Sequence, residues 1–397
     1  TLKRYNEMAK YNFEDSRYAK FFASPENNRF LQSFLDNSAL FHTNYGWYKT
    51  QGRIAAEETP AQADGTAMFS VKARKLKAPH LMDLRAPLGD SNQAESPKAL
   101  TYGASIPDFI TEGIVETATE RNYKVKMFEQ FGNDADIVAT YVSNLQDKFN
   151  SVDATMTFMT AQLMSTAKID YTGIGQGIQL PLHKADVPSS NFLKAGAKAW
   201  ADADCKLLTQ MRVLEEKVRH QMGDYAGPMI WQMTRNDFYN VFLKNKEVRE
   251  FVSNYRKLNY LASTQEIPVV ASEWNKAVVD LEGVSPIELV VEQENNKTHS
   301  KEEVVKGWKD GTVVLRPAGD AVEFQHKPIL DEQMIRNYGA SAITTVFGRG
   351  NDGLSLVVNS TVDNGRFKEW HTDVMMSACP ALIEFPNHYI IDINTAD

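Results

Sequence analysis

Apolar residues recur at Val138, Val142, Leu145, Phe149, Val152, Met156, Met159 and Leu163, in alternating steps of four and three. That spacing lies close to the helical period and paints one face of a helix. No Gly or Pro interrupts residues 134–168, and Asn133 or Asp134 is placed to cap the start. A helix from Asp134 to Lys168 is a rod about 50 Å long, far beyond the mean globular helix. Its other faces are mainly Ser, Thr, Asn, Gln and Ala. They carry few of the flanking charges that select a partner in a coiled coil. The stripe therefore reads as a rod laid across a sheet of its own chain, with its polar back left for other protein.

A chain of 397 residues suggests two to three domains around this rod. The net charge of −8 argues against a dedicated duplex-binding protein, which needs a basic face to neutralise phosphates. No apolar run is long enough to span a bilayer, and no signal peptide opens the sequence. Cys205 and Cys379 form neither a metal spacing nor a disulfide framework, which fits a reducing compartment. The sequence opens at Thr1 without Met, as expected of a protease-trimmed form or of numbering that omits a start.

Residues 1–45 read as an arm. Tyr5, Tyr11, Phe13, Tyr18, Phe21 and Phe22 are scattered among charges, and a short helix is signalled by Ser24, Pro25, Phe30, Leu31, Phe34 and Leu35. Residues 46–100 are poor in large apolar side chains. They contain one strand signature: Ala67, Phe69, Val71 and Ala73 alternate with Ser70, Lys72 and Arg74. Asp64-Gly65 marks a turn, and Pro79, Pro87 and Pro97 break the return path. The stretch reads as a long two-stranded excursion, which needs a surface to lie on. Its basic cluster Lys72, Arg74, Lys75 and Lys77 reads as a solvated face or a partner for acidic neighbours rather than a nucleic-acid site.

The rod is followed by Gly173, Gly175 and Gly177. A phosphate loop needs a strand before and a helix after, and here that order is reversed, so a turn is expected. A second helix is expected from Ser189 or Ser190 to Met222, stopped at Gly223, with Trp200, Leu207, Met211, Leu214 and Val218 inside. A buried strand follows at 228–233, then a helix capped by Thr234 that runs through Phe238, Val241, Phe242 and Val248. Further strands are expected at 268–271, 287–292, 313–316, 342–347, 354–358 and 389–393. The fold class is α+β.

The eight histidines are isolated, and no Gly-x-Ser-x-Gly elbow or paired metal-ligand motif occurs. No catalytic, cofactor-binding or metal residues are assigned, and an enzyme is not expected, although triads assembled in space leave no linear motif.

Three passages together resemble the major capsid proteins of tailed bacteriophages, in the lambda-like group of the Hong Kong 97 (Johnson) capsid fold. They are Ile169-Asp170-Tyr171 through Trp200-Ala201-Asp202, then Pro228 to Val252, then Trp370-His371-Thr372 through Pro380 with Pro386-Asn387-His388-Tyr389. Each is weak alone; their order is the specific part. The resemblance covers nearly the whole chain, but no N-terminal scaffold-like segment is present, which implies trimming or a separate scaffolding protein.

The resemblance implies an N-terminal arm at 1–45 and an extended loop at 46–100 that lies on an adjacent subunit. It implies a peripheral domain at 101–171 and 336–377 holding the spine helix, and an axial domain at 172–335 and 378–397. Phe69, Val71, Lys72, Arg74, Lys75 and Lys77 would serve assembly through the loop, and the stripe from Val138 to Leu163 through the spine. The implied function is self-assembly into pentamers and hexamers of an icosahedral shell around double-stranded DNA. Scaffolding, portal, maturation-protease and decoration proteins are the implied partners. DNA contact would be sequence-independent, with no membrane and no cofactor, and the virion would be assembled in the bacterial cytoplasm. Some members crosslink a loop Lys to an Asn; no pair is assigned here. The rival readings are a coiled-coil scaffold protein and an enzyme with a site gathered from distant residues. Phe149→Ala is expected to cost about 3–5 kcal/mol and lower soluble yield if the stripe faces its own sheet; loss of dimers from an intact monomer would favour the coiled coil.

Overall fold

The computed structural model describes residue 26 and residues 51–62, 66–77, 99–110, 114–117, 123, 126, 134–171, 182–258, 269–281, 283–290, 306–328, 345–347, 356–362 and 369–396; for 110, 114–117, 134–149, 258, 279–281, 345–347, 356–362 and 369–374 the backbone alone is described. The arm other than Glu26, and the glycine turn at 173–177, lie outside the described residues.

In chain order the strands are β1 (Gly52–Ile54), β2 (Met68–Ala73), β3 (Leu100–Ser105), β4 (Phe109–Ile110), β5 (Ile114–Thr117), β6 (Lys168–Ile169), β7 (His183–Lys184), β8 (Phe192–Lys194) and β9 (Met229–Met233). They continue with β10 (Ile287–Leu289), β11 (Thr312–Pro317), β12 (Val322–His326), β13 (Thr345–Phe347), β14 (Leu356–Val362), β15 (Glu369–Met376), β16 (Ala378–Leu382) and β17 (Tyr389–Asp392). The helices are α1 (Asp134–Thr166), α2 (Leu207–Gln221), α3 (Arg235–Asn240), α4 (Lys246–Leu258) and α5 (Ala271–Leu281). The class is α+β.

A five-stranded sheet in the order β10-β9-β11-β17-β8 divides two cores. The strand β11 is buried at every position, the pattern of a strand covered on both faces. Val314 and Ile390 join the core around α1, while their neighbours Val313, Leu315, Tyr389 and Ile391 join the core with α2. Strict alternation along β11 and β17 thus sends successive side chains to opposite cores. The strands β12 and β16, assigned above to an axial domain, share their core with α1: Phe324 and Leu382 pack with Met156 and Leu163.

The rod forms as expected but stops at Thr166, two residues early. Ala167 adopts a left-handed φ of 59°, and the chain enters β6 directly. The helix packs on β16, on β15 and on β11, strands of three different sheets, and β15 in turn pairs with β14. Val152, Met156, Met159 and Leu163 are all buried. Val138, Val142, Leu145 and Phe149 lie on the helical backbone, and their side chains lie outside the described residues.

The free polar back is corrected for the last turns. Thr157, Thr160 and Ser165 are buried there. Over Ser165 the covering segment is Lys306–Gly311: Ser165 Oγ accepts from Lys309 N–H at 3.0 Å, and Trp308, itself buried, donates from Nε1 to the Thr312 carbonyl at 2.8 Å. A Cβ on Gly307 would stand 2.9 Å from the Phe158 carbonyl oxygen and 3.0 Å from Ala161 Cβ. Helix backbone cannot give way, so Gly307→Val is expected to cost about 1–3 kcal/mol by overpacking. Chemical denaturation checks this, with Gly307→Ala intermediate.

Three further expectations change. Ser189 opens only a short 3-10 turn (Ser189–Asn191) and β8 follows, so α2 starts at Leu207. Thr234 does cap α3, accepting from Asp237 N–H at 2.9 Å, but the helical run breaks after Asn240 and restarts at Lys246. Of the strand expected over 268–271, Val269 and Val270 are irregular and Ala271 already opens α5, whose Trp274, Ala277 and Val278 are buried at helical spacing.

Candidate assembly surface

The ribbon β2–β3 follows the alternation read from its sequence. Phe69 pairs with Ala104 and Val71 with Tyr102, and all four are buried. Lys72 and Arg74 are exposed, Lys75 is half-buried and Lys77 is exposed. The inner face packs on this chain's own core rather than on a neighbour: Tyr102 meets Phe385 edge-on at 5.0 Å, and its hydroxyl accepts from Leu382 N–H at 2.6 Å. The surface on which the excursion was expected to lie is thus, at its root, this chain's own body. Its base is rooted in this chain. The outer face carries exposed Met68 at 63% and, at the ribbon end, Leu100 at 42%. The Lys77 side chain lies against Gly223 just past the C-terminus of α2, the end of a helix dipole that favours a cation.

Three side chains hold the root in place. Asn387 is buried, accepts from Leu76 N–H through Oδ1 at 2.8 Å and donates from Nδ2 to the Arg74 carbonyl at 3.0 Å. His388 Nε2 lies 2.6 Å from the Met164 carbonyl. That oxygen belongs to the last turn of α1, where carbonyls lack helical partners, so Nε2 carries the proton and donates. Asn191 Nδ2 donates to the carbonyls of Pro386 and His388 at 2.9 and 3.2 Å. The loop exit, the spine end and the central sheet therefore meet at Pro386-Asn387-His388.

A second buried polar cluster joins the chain before β1 to the central sheet. Arg316 donates from Nε to Gln232 Oε1 at 3.1 Å and from Nη2 to Gln51 Oε1 at 2.9 Å. Gln51 Nε2 and Gln232 Nε2 donate to the Glu288 carboxylate at 2.5 and 3.0 Å. Burial lowers the Arg316 pKa to about 10, against the opposing pull of Glu288 and Asp320. Sequence reading missed this cluster; its signal is polar Gln232 and Arg316 inside otherwise apolar strands.

The His183 ring stands 5.5 Å from Phe69 and 6.2 Å from Tyr102, and neither of its nitrogens has a hydrogen-bond partner among the described residues. Burial pushes the pKa of His183, and that of His388, down to about 4. Both rings stay neutral when folded, while the unfolded chain takes up a proton below about 6.5. Stability is therefore full above that pH and falls as pH drops from about 6.5 toward 4, on the order of 3 kcal/mol for each ring. Denaturant titrations at successive pH values should show this slope, and His183→Phe should flatten it by about one proton.

Two open grooves flank exposed Val213 on α2. One, of about 480 Å³, is rimmed by Lys198, Lys206 and Lys217; the other, of about 640 Å³, runs past Glu216, His220 and Tyr225. Among the described residues no group of three or more His, Cys, Asp or Glu is placed to hold a metal ion, and no helix is long and apolar enough to cross a membrane.

No protein-family model and no curated protein matches the chain. Among solved structures, a phage-related protein from Bordetella bronchiseptica RB50 aligns over 92% of this chain and 96% of its own, at 12% identity and a TM-score of 0.47. The capsid of Ralstonia phage GP4 aligns over 90% and 93%, at 11% identity and 0.41. The mature capsid of bacteriophage PhiM1 aligns over 88% and 87%, at 12% identity and 0.40.

Proposed function

We propose that the chain is the major capsid protein of a tailed phage, with the Hong Kong 97-like fold. It builds pentamers and hexamers that close into an icosahedral shell around double-stranded DNA, without catalytic turnover. The observation that carries this reading is the convergence of the three passages on which the resemblance rests. Trp200 packs on Trp231 with ring centroids 6.1 Å apart, and Trp200 N–H donates to the Ile393 carbonyl. The strand containing Trp231 pairs with β11, and β11 pairs with β17 directly after Pro386-Asn387-His388. Segments far apart in sequence thus form one junction, and the loop leaves the body from that junction.

In this reading the residues between β2 and β3 lie on an adjacent subunit and the arm reaches a neighbour. Closed symmetry turns modest contacts into a stable assembly. The acidic chain suits a container, since weak, sequence-independent contact leaves DNA free to be packed and released. Scaffolding, portal, protease and decoration proteins would assist, and assembly would take place in the bacterial cytoplasm. The coiled-coil alternative is disfavoured by Val152, Met156, Met159 and Leu163, which are already covered by this chain's own core. Sedimentation velocity of the chain co-expressed with a scaffolding protein tests the proposal. Particles orders of magnitude heavier than a subunit are expected; small oligomers alone would count against it.

A further inference from the structure

Resting on the capsid reading, we propose that Asn387 is a positioning residue that sets the direction in which the loop leaves the body after β2. Its amide meets the Arg74 carbonyl and the Leu76 N–H together. A parallel strand neighbour would offer residue 75 this same donor and acceptor, one bond on either side of it. One side chain thus continues the ladder beyond Ala73, where β2 ends. The second hydrogen of Nδ2 goes to Glu384 Oε2 at 2.9 Å. A carboxylate only accepts, so it fixes which end of the amide faces Leu76.

The support beneath Asn387 is equally constrained. Its own N–H donates to the Glu384 carbonyl at 2.9 Å, and the carbonyls on either side of it are held by Asn191. The next ring, His388, is fastened to the spine helix. The clamp therefore refers the loop's direction to the two elements that define the subunit body. A loop that must land on a neighbour needs such a reference, because a small angular error at its root grows along its length.

The test uses the full chain with Asn387→Leu, which keeps the volume and removes the hydrogen bonds. Amide exchange at Leu76 in the unassembled subunit should quicken by roughly tenfold, the factor expected for one lost hydrogen bond. Shells should become fewer and broader in diameter while helical content is unchanged. Asn387→Asp, which retains the acceptor for Leu76, should restore its protection in part. Unchanged exchange, or faster exchange with wild-type shells, would overturn the proposal. Should Asn387→Leu fail to fold, Leu76→Pro removes the same bond from the loop side, and uniform wild-type shells from that variant would equally overturn it. Wild-type chain is run in parallel. If it forms no shells the capsid reading fails, and exchange at Leu76 still decides whether Asn387 clamps the loop.

Discussion

Glu215→Ala should be among the most destabilising single changes in the core around α2, at about 3–5 kcal/mol. The carboxylate accepts from Ser285 Oγ and N–H at 2.6 and 2.9 Å, from Trp231 Nε1 at 3.3 Å, and from Arg219 Nε and Nη2 at 3.1 and 2.9 Å. Burial alone would raise its pKa; the hydrogen bonds from Ser285 and Arg219 outweigh that and hold it below the ordinary carboxylate range. Alanine would strand the buried Trp231 and Ser285 donors. Arg219 is less affected, because its side chain is 28% exposed and its Nη1 keeps the Tyr225 and Gly227 carbonyls. Glu215→Gln should be milder, since it retains one acceptor oxygen. Urea unfolding at neutral pH gives the comparison, and an alanine loss below about 1 kcal/mol would show that the cluster contributes little.

The second large effect concerns assembly. Replacing residues 79–98 by a short Gly-Ser linker should leave the subunit folded and abolish shells. The cut spares β2, β3 and the Asn387 clamp, so Phe69, Val71 and Tyr102 keep their core contacts. A wider deletion over 50–90 would not separate folding from assembly. It would remove Phe69 and Val71 from the core, together with the Gln51 that Arg316 requires. A thermal midpoint shifted by only a few degrees, combined with loss of particles, is the expected result. Shells from the shortened chain would remove the loop from the assembly account.

Much of this architecture was legible in residues. The uninterrupted stripe of α1 predicts a rod, and the alternation at 67–73 predicts which ribbon side chains are buried. Pro228 to Thr234 predicts a strand and a cap. What was not legible depends on contacts between distant segments. The polar back of α1 looks free until Lys306–Gly311 is laid over it, and only the close-approach glycine in front of Trp308 hints at that. Glu215 resembles a surface helix charge, yet it stands in the stripe of Leu208, Met211 and Val218, which was the available clue. The strand β16 was hidden by Pro380, tolerated because β16 is the edge of its sheet. The helix α5 was hidden by the β-branched pair Val269-Val270 just before it. The junction at Asn387 combines residues 74–76, 164, 191 and 384–388, and no local pattern announces it.

Electron microscopy of the full chain co-expressed with a scaffolding protein tests the central claim most directly. The account predicts hollow particles of uniform diameter built from five- and six-fold capsomers, with density bridging each ribbon root to the adjacent subunit. A folded chain that remains a monomer or small oligomer beside its natural partners would contradict it.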